Sequence, residues 1–121
     1  MFVYGTLKRG EANHGRVAPF VREVREGRVP GTLIDLGGYP GWVDGSATVE
    51  GELLWLEPLG PALAALDELE GFFGEGDPRN EYVRVRVGVR TAGGVIDAWA
   101  YRLALEPPDA PTVPGGRWPA D

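Results

Sequence analysis

The residues best equipped for chemistry lie in two stretches far apart in the chain. Asp67, Glu68 and Glu70 close the run Leu59 to Gly71, and near the start Tyr4-Gly5-Thr6-Leu7-Lys8-Arg9-Gly10 follows the strand-favouring Phe2-Val3. A carboxylate can take and return a proton, provided its pKa lies near the working pH. A strand running into a glycine turn can present backbone N–H groups, here those of Gly5, Thr6 and Leu7, which can hold a carboxylate or a developing oxyanion without a charged side chain. Such a sequence is also what an ordinary turn looks like. On this reading Gly5 serves through its freedom of backbone angles and the close approach it allows.

The acids must be positioned by a helix. Pro61 suits the first helical position after Gly60, Ala62 to Glu70 favours helix, and Gly71 is a natural stop. At 3.6 residues per turn Leu59, Ala62, Leu63, Leu66 and Leu69 share the face that must meet a core. Glu70 falls on that face, Asp67 at its margin and Glu68 on the far side. A carboxylate at the C-terminal end of a helix, among apolar neighbours, is disfavoured as a charge, so the pKa of Glu70 is expected to rise towards the range of a general base. The competing reading turns Glu70 out to water from a fraying last turn, or pairs it with an arginine of the next strand.

Other chemistries find less support. His14 and Ser46 are the only residues of their types, and neither they nor Asp35 and Asp44 sit in a nucleophile-elbow context. No ligand spacing for zinc or calcium, phosphate loop or dinucleotide fingerprint is present, so neither metal nor organic cofactor is expected. With no cysteine there is no thiolate chemistry, which fits a reducing cytoplasm. A net charge of −6, with arginines scattered, argues against nucleic acid or an anionic membrane as partner. No stretch is long and apolar enough to span a membrane.

At 121 residues the chain is expected to bury one core. Asn13 to Phe20 reads as a short helical or turn segment. Val21–Arg28 and Gly31–Leu36 read as two short strands broken at Val29-Pro30, because proline cannot donate to a ladder. Gly37 to Trp42 is a loop of three glycines and a proline around Tyr39 and Trp42, of the kind that lines a pocket or merely turns the chain. Ala47–Glu57 reads as a longer strand. Tyr82 to Arg90 alternates strictly, with Val83, Val85, Val87 and Val89 opposite Tyr82, Arg84, Arg86 and Arg90, and pairs through Thr91-Ala92-Gly93-Gly94 with Val95–Arg102. The arginine stripe is expected to face solvent, or else to line a barrel mouth. The fold expected is α+β: a small, mostly antiparallel β-barrel of about six strands, flanked by one or two helices. Residues 1–105 would form the domain and 106–121 a loose, extended proline-rich tail.

Tyr4-Gly5-Thr6-Leu7-Lys8-Arg9-Gly10 with Asn13-His14, the Gly38-Tyr39-Pro40-Gly41 loop, Gly51-Glu52, Leu66-Asp67-Glu68-Leu69-Glu70-Gly71 and Tyr82-x-Arg84 occur in an order that resembles the gamma-glutamylcyclotransferase-like superfamily, most of all its gamma-glutamylamine cyclotransferase branch. The resemblance covers the chain to about Leu105. It implies a barrel whose cavity binds substrate through the backbone of residues 4 to 7, with Glu70 as catalytic acid/base and with Tyr39 and Tyr82 in the walls. Phe72 to Asn80 replaces a shorter link, so the wall near Tyr82 is expected to differ. The implied reaction needs no cofactor: the α-amine of a small γ-glutamyl compound attacks its own side-chain carbonyl, releasing 5-oxoproline and an amine. The chain would act as a monomer or weak dimer. The alternatives are a non-catalytic barrel that binds an amino-acid-like ligand, and a partner-binding domain acting through its proline-rich tail.

Overall fold

The structure, a computed structural model, describes residues 1–119. Its elements are β1 (Phe2–Val3), β2 (Val21–Asp35), β3 (Pro40–Leu56), α1 (Leu59–Glu70), β4 (Tyr82–Thr91) and β5 (Gly94–Leu103), with single 3-10 turns at His14–Arg16, Ala18–Phe20 and Pro114–Gly116. The strands close a barrel in the order β1-β3-β2-β4-β5. Neighbouring pairs are antiparallel except at the seam, where Phe2 of β1 meets Ala100 of β5 in parallel. The α+β barrel expected from the sequence is present, with five strands rather than six.

The missing strand is explained at Val29-Pro30. The two expected strands are one, β2, paired with β3 almost throughout, and the irregularity falls between Pro30 and Thr32 as a register shift. A bulge removes the ladder bond that proline cannot make, so the strand bends without ending. Gly31 makes the bend possible: its φ is +143°, and a Cβ there would collide with the Trp42 indole nitrogen and meet the Val43 carbonyl at 2.8 Å. The expected 37–42 loop is likewise shorter. Asp35 Oδ1 accepts the N–H groups of Gly37 and Gly38 at 2.8 and 3.3 Å, Leu36 N–H donates to Tyr39 O at 2.9 Å, and β3 begins at Pro40. Trp42 is therefore a buried barrel residue, while Tyr39 stays exposed at the tip.

Alternation along the strands splits the apolar residues into two cores. Phe2, Tyr4, Val29, Leu33, Trp42, Val49, Leu53, Val89, Ala98 and Ala100 fill the barrel. Met1, Val3, Leu54, Leu56, Tyr82, Tyr101 and Leu103 project from the other face, where Ala62 and Leu66 of α1 cover them. Of the expected helix face, Leu63 and Leu69 pack at its margin and Leu59 is 47% exposed, because the helix begins at Leu59 with Pro58 as its N-cap. The hairpin of β4 and β5 has the expected turn, Thr91 facing Gly94.

The proline-rich segment, expected to be loose, is docked up to the last described residues. Asp35 N–H donates to Pro111 O and Val113 N–H to Leu33 O, both at 2.8 Å, and Thr112 forms an antiparallel bridge with Ile34. Val113 is 6% exposed in the barrel-side core, and Lys8 Nζ donates to Trp118 O. Proline bars a segment from a sheet interior, and a single bridge along β2 does not need one.

Candidate active site

A cavity of about 400 Å3 opens between the loop after β1, the last turn of α1, the turn before β3 and the start of β4. Glu70, Tyr4, Gly5, Thr6, Leu7, Tyr39 and Tyr82, the seven site residues named from the sequence, all line it, together with Asn13, Glu81 and Tyr101.

The loop is held from behind. Lys8 N–H donates to Gly5 O at 3.1 Å, Asn13 N–H to Thr6 O at 2.8 Å, and Asn13 Nδ2 to Thr6 Oγ1 at 2.9 Å. His14 Nδ1 lies 2.8 Å from Leu7 O, so the lone histidine braces the loop. Among the described residues, none of the N–H groups of Gly5, Thr6 and Leu7 has a hydrogen-bond partner. Gly5 does not take a left-handed conformation; its glycine is required because a Cβ would meet Pro40 Cγ at 2.7 Å. Close packing of the loop on the β3 entry, not backbone freedom, explains the residue.

The tyrosines are walls with committed hydroxyls. Tyr4 donates to Tyr101 O at 2.7 Å and accepts Trp42 N–H at 3.3 Å, and Tyr82 donates to Pro40 O at 2.8 Å. Burial pushes both phenols well above their ordinary pKa, so they remain neutral. Tyr39, at the mouth, donates to Glu81 Oε1 at 2.9 Å.

Glu70 is the last residue of α1. The chain leaves the helix at Gly71 in the left-handed conformation, φ 66° and ψ 41°, with Gly71 N–H donating to Glu68 O and Phe72 N–H to Asp67 O. This closure keeps the last turn helical and Glu70 on the cavity side. Its pKa is raised to about 7, first by burial and then by the charge of Glu81. The direction follows from helix end and apolar surroundings, both legible in the sequence; the added charge of Glu81, which packs beside Gly71, could not be read there.

Asp67, one turn earlier and at the margin of the apolar helix face, is an anchor. It accepts Tyr101 O–H at 2.6 Å and Arg84 Nη1 at 3.0 and 2.9 Å, and Arg84 lies over Trp99 at 4.9 Å and Phe72 at 5.7 Å. Arg84 is thus covered by the helix, contrary to a solvated arginine stripe, whereas Arg86 and Arg90 are exposed. The alternation of β4 with its partner Tyr101 in β5 was the available signal. Asp35 and Asp44 are engaged elsewhere: Asp35 caps its turn, and Asp44 pairs with Arg102 at 2.8 Å. Among the described residues no cluster of three or more His, Asp or Glu could hold a metal, and no helix is long and apolar enough to cross a membrane.

A closed five-strand barrel with a helix-end glutamate facing a backbone-lined cavity defines a cyclotransferase-type architecture. Residues 1–120 match the family described as gamma-glutamyl cyclotransferase, AIG2-like, and the chain belongs to that family. It is 40% identical over 102 residues to the gamma-L-glutamyl-butirosin B gamma-glutamyl cyclotransferase of Niallia circulans, a match covering 84% of this chain and 64% of that protein. Among solved structures, YkqA of Bacillus subtilis superposes with TM-score 0.73 at 26% identity, over 98% of this chain and 38% of the other. The ytfP protein of Escherichia coli does so with TM-score 0.63 at 28% identity, over 98% and 94%. The chain therefore spans less than two thirds of the Niallia relative and of YkqA.

Proposed function

We propose that the protein is a cyclotransferase that converts a γ-glutamyl amide into 5-oxoproline and a free amine, with Glu70 as its acid/base. The observation that carries this reading is the half-buried Glu70, of pKa about 7, opening on the same cavity as the unpartnered N–H groups of Gly5, Thr6 and Leu7. Membership of the gamma-glutamyl cyclotransferase family supports it independently.

The steps follow from those groups. The α-ammonium of the bound substrate gives a proton to the Glu70 carboxylate, and the freed amine attacks the side-chain carbonyl carbon to form a five-membered ring. Because nucleophile and electrophile share one molecule, the cavity has chiefly to hold the bent conformer. The N–H row receives the substrate carboxylate or the oxygen that becomes negative in the tetrahedral intermediate. As the intermediate collapses, the departing nitrogen takes the proton from Glu70 and the C–N bond breaks; the second proton of the ring nitrogen then passes through the Glu70 carboxylate to the released amine, so a neutral lactam and an ammonium leave and Glu70 is again ionised for the next cycle. A carboxyl group of pKa about 7 is near the optimum for serving in both directions at neutral pH. The test is incubation of the protein with a panel of γ-glutamyl amines and γ-glutamyl dipeptides, following 5-oxoproline by chromatography. Release that disappears in Glu70→Gln supports the reading; saturable binding without release makes the barrel a ligand-binding protein instead.

A further inference from the structure

The cavity is unevenly equipped for charge. Its lining contains no Lys, Arg or His among the described residues, and its formally charged side chains are Glu70 and Glu81. The O–H protons of Tyr82 and Tyr101 are committed to Pro40 O and to Asp67, so towards a ligand these tyrosines have only oxygen lone pairs left to offer. The N–H row after Tyr4 is thus the anion-seeking feature of the site, and the α-carboxylate and developing oxyanion of a γ-glutamyl group already call on it. A second carboxylate, such as that of an α-amino acid leaving group, would find no cation in the walls.

At the rim Glu81 is fixed rather than loose. Its N–H donates to Gly71 O at 3.2 Å, its carbonyl accepts Ala104 N–H at 2.9 Å, and its carboxylate accepts Tyr39 O–H at 2.9 Å. The segment from Phe72 to Asn80 delivers it there, closed by Asn80, whose side chain accepts Phe73 N–H at 2.7 Å and donates to Gly74 O at 2.7 Å. We infer that Glu81, held by Tyr39, is a specificity-determining residue that makes the site prefer γ-glutamyl compounds whose leaving amine carries a positive charge over those whose leaving amine carries a carboxylate. This rests on the cyclotransferase reading above. Glu81 is exposed, so screening limits the discrimination to roughly tenfold in kcat/KM at low salt.

Three substrates of equal chain length test it: a γ-glutamyl diaminobutane (cationic leaving group), γ-glutamylbutylamine (neutral) and a γ-glutamyl aminobutanoate (anionic). Release of 5-oxoproline is measured for wild type, Glu81→Gln and Tyr39→Phe at low and high salt, and each protein is read as its ratio of cationic to anionic kcat/KM. The ratio cancels any change in Glu70, because the same base serves both substrates. The wild-type ratio should be roughly tenfold, shrink with salt, and fall several-fold in Glu81→Gln, with Tyr39→Phe between. A wild-type ratio of one or less, or a ratio unchanged in Glu81→Gln, overturns the inference. If none of the three releases 5-oxoproline, the cyclotransferase reading fails, and calorimetric affinities decide the inference separately. Tighter binding of the cationic compound that depends on Glu81 supports it, and equal affinities or no binding overturn it.

Discussion

Asp67 and Glu70 are carboxylates three residues apart on one helix, and the protein uses them in opposite ways. Asp67 is surrounded by donors, the Tyr101 hydroxyl and the Arg84 guanidinium, and ties α1 to β4 and β5. Glu70 looks into a cavity with another carboxylate as its charged neighbour and is held near pKa 7. Neither residue type nor helix position separates them; the surroundings do. A carboxylate with a fixed cation is a fastener, while one deprived of it becomes a proton carrier.

The largest expected effect comes from removing that difference at Glu70. Glu70→Gln should remain folded and lose roughly 10²- to 10⁴-fold in 5-oxoproline release, the usual range for general acid–base catalysis. Normal turnover in this variant would break the comparison at its centre.

The second test is thermodynamic. Glu70 has its folded pKa, about 7, above the ordinary value of 4.5, so the folded state binds the proton more tightly. Stability should fall as pH rises from about 4.5 to 7 and then level, by about 3 kcal/mol at most. Urea unfolding across that window should show the slope in wild type and its loss in Glu70→Gln. An equal slope in the two proteins would mean that Glu70 is ionised and solvated like any surface acid.

At Asp67 the prediction has the opposite character. Arg84→Met leaves a carboxylate whose side chain is only 24% exposed without its cation, and should cost about 2 kcal/mol in urea unfolding. Adding Asp67→Asn should recover part of that loss, since the stranded charge is then gone. If the two changes simply add, the pair is not a fastener. The smallest effects are expected on the outward faces: Glu68→Gln and Arg90→Gln, both at exposed positions, should change stability by less than about 0.5 kcal/mol and turnover by no more than a few-fold.

What could be read from the sequence is what short-range geometry governs. The helical period placed Leu66 against the barrel and Glu70 towards the core, Gly71 ended the helix in the left-handed conformation, and the valine–arginine alternation of β4 gave the hairpin. The same local rules misjudged β2, where a proline signalled a break that Gly31 and a bulge absorb, and at Gly5 they were right about close approach but not about backbone angles, the approaching group being Pro40, some 35 positions on. Three things were decided only by the tertiary structure: the parallel seam between Phe2 and Ala100 that closes the barrel, the pairing of Asp67 with Arg84 and Tyr101, and the arrival of Glu81 beside Tyr39 and within electrostatic reach of Glu70. Each joins residues whose separation along the chain carries no periodic signal, and each depends on strand register and helix docking. Period and propensity can therefore say which side chains face inwards, but the electrostatic role of a half-buried acid is set by neighbours that only the closed barrel brings near it.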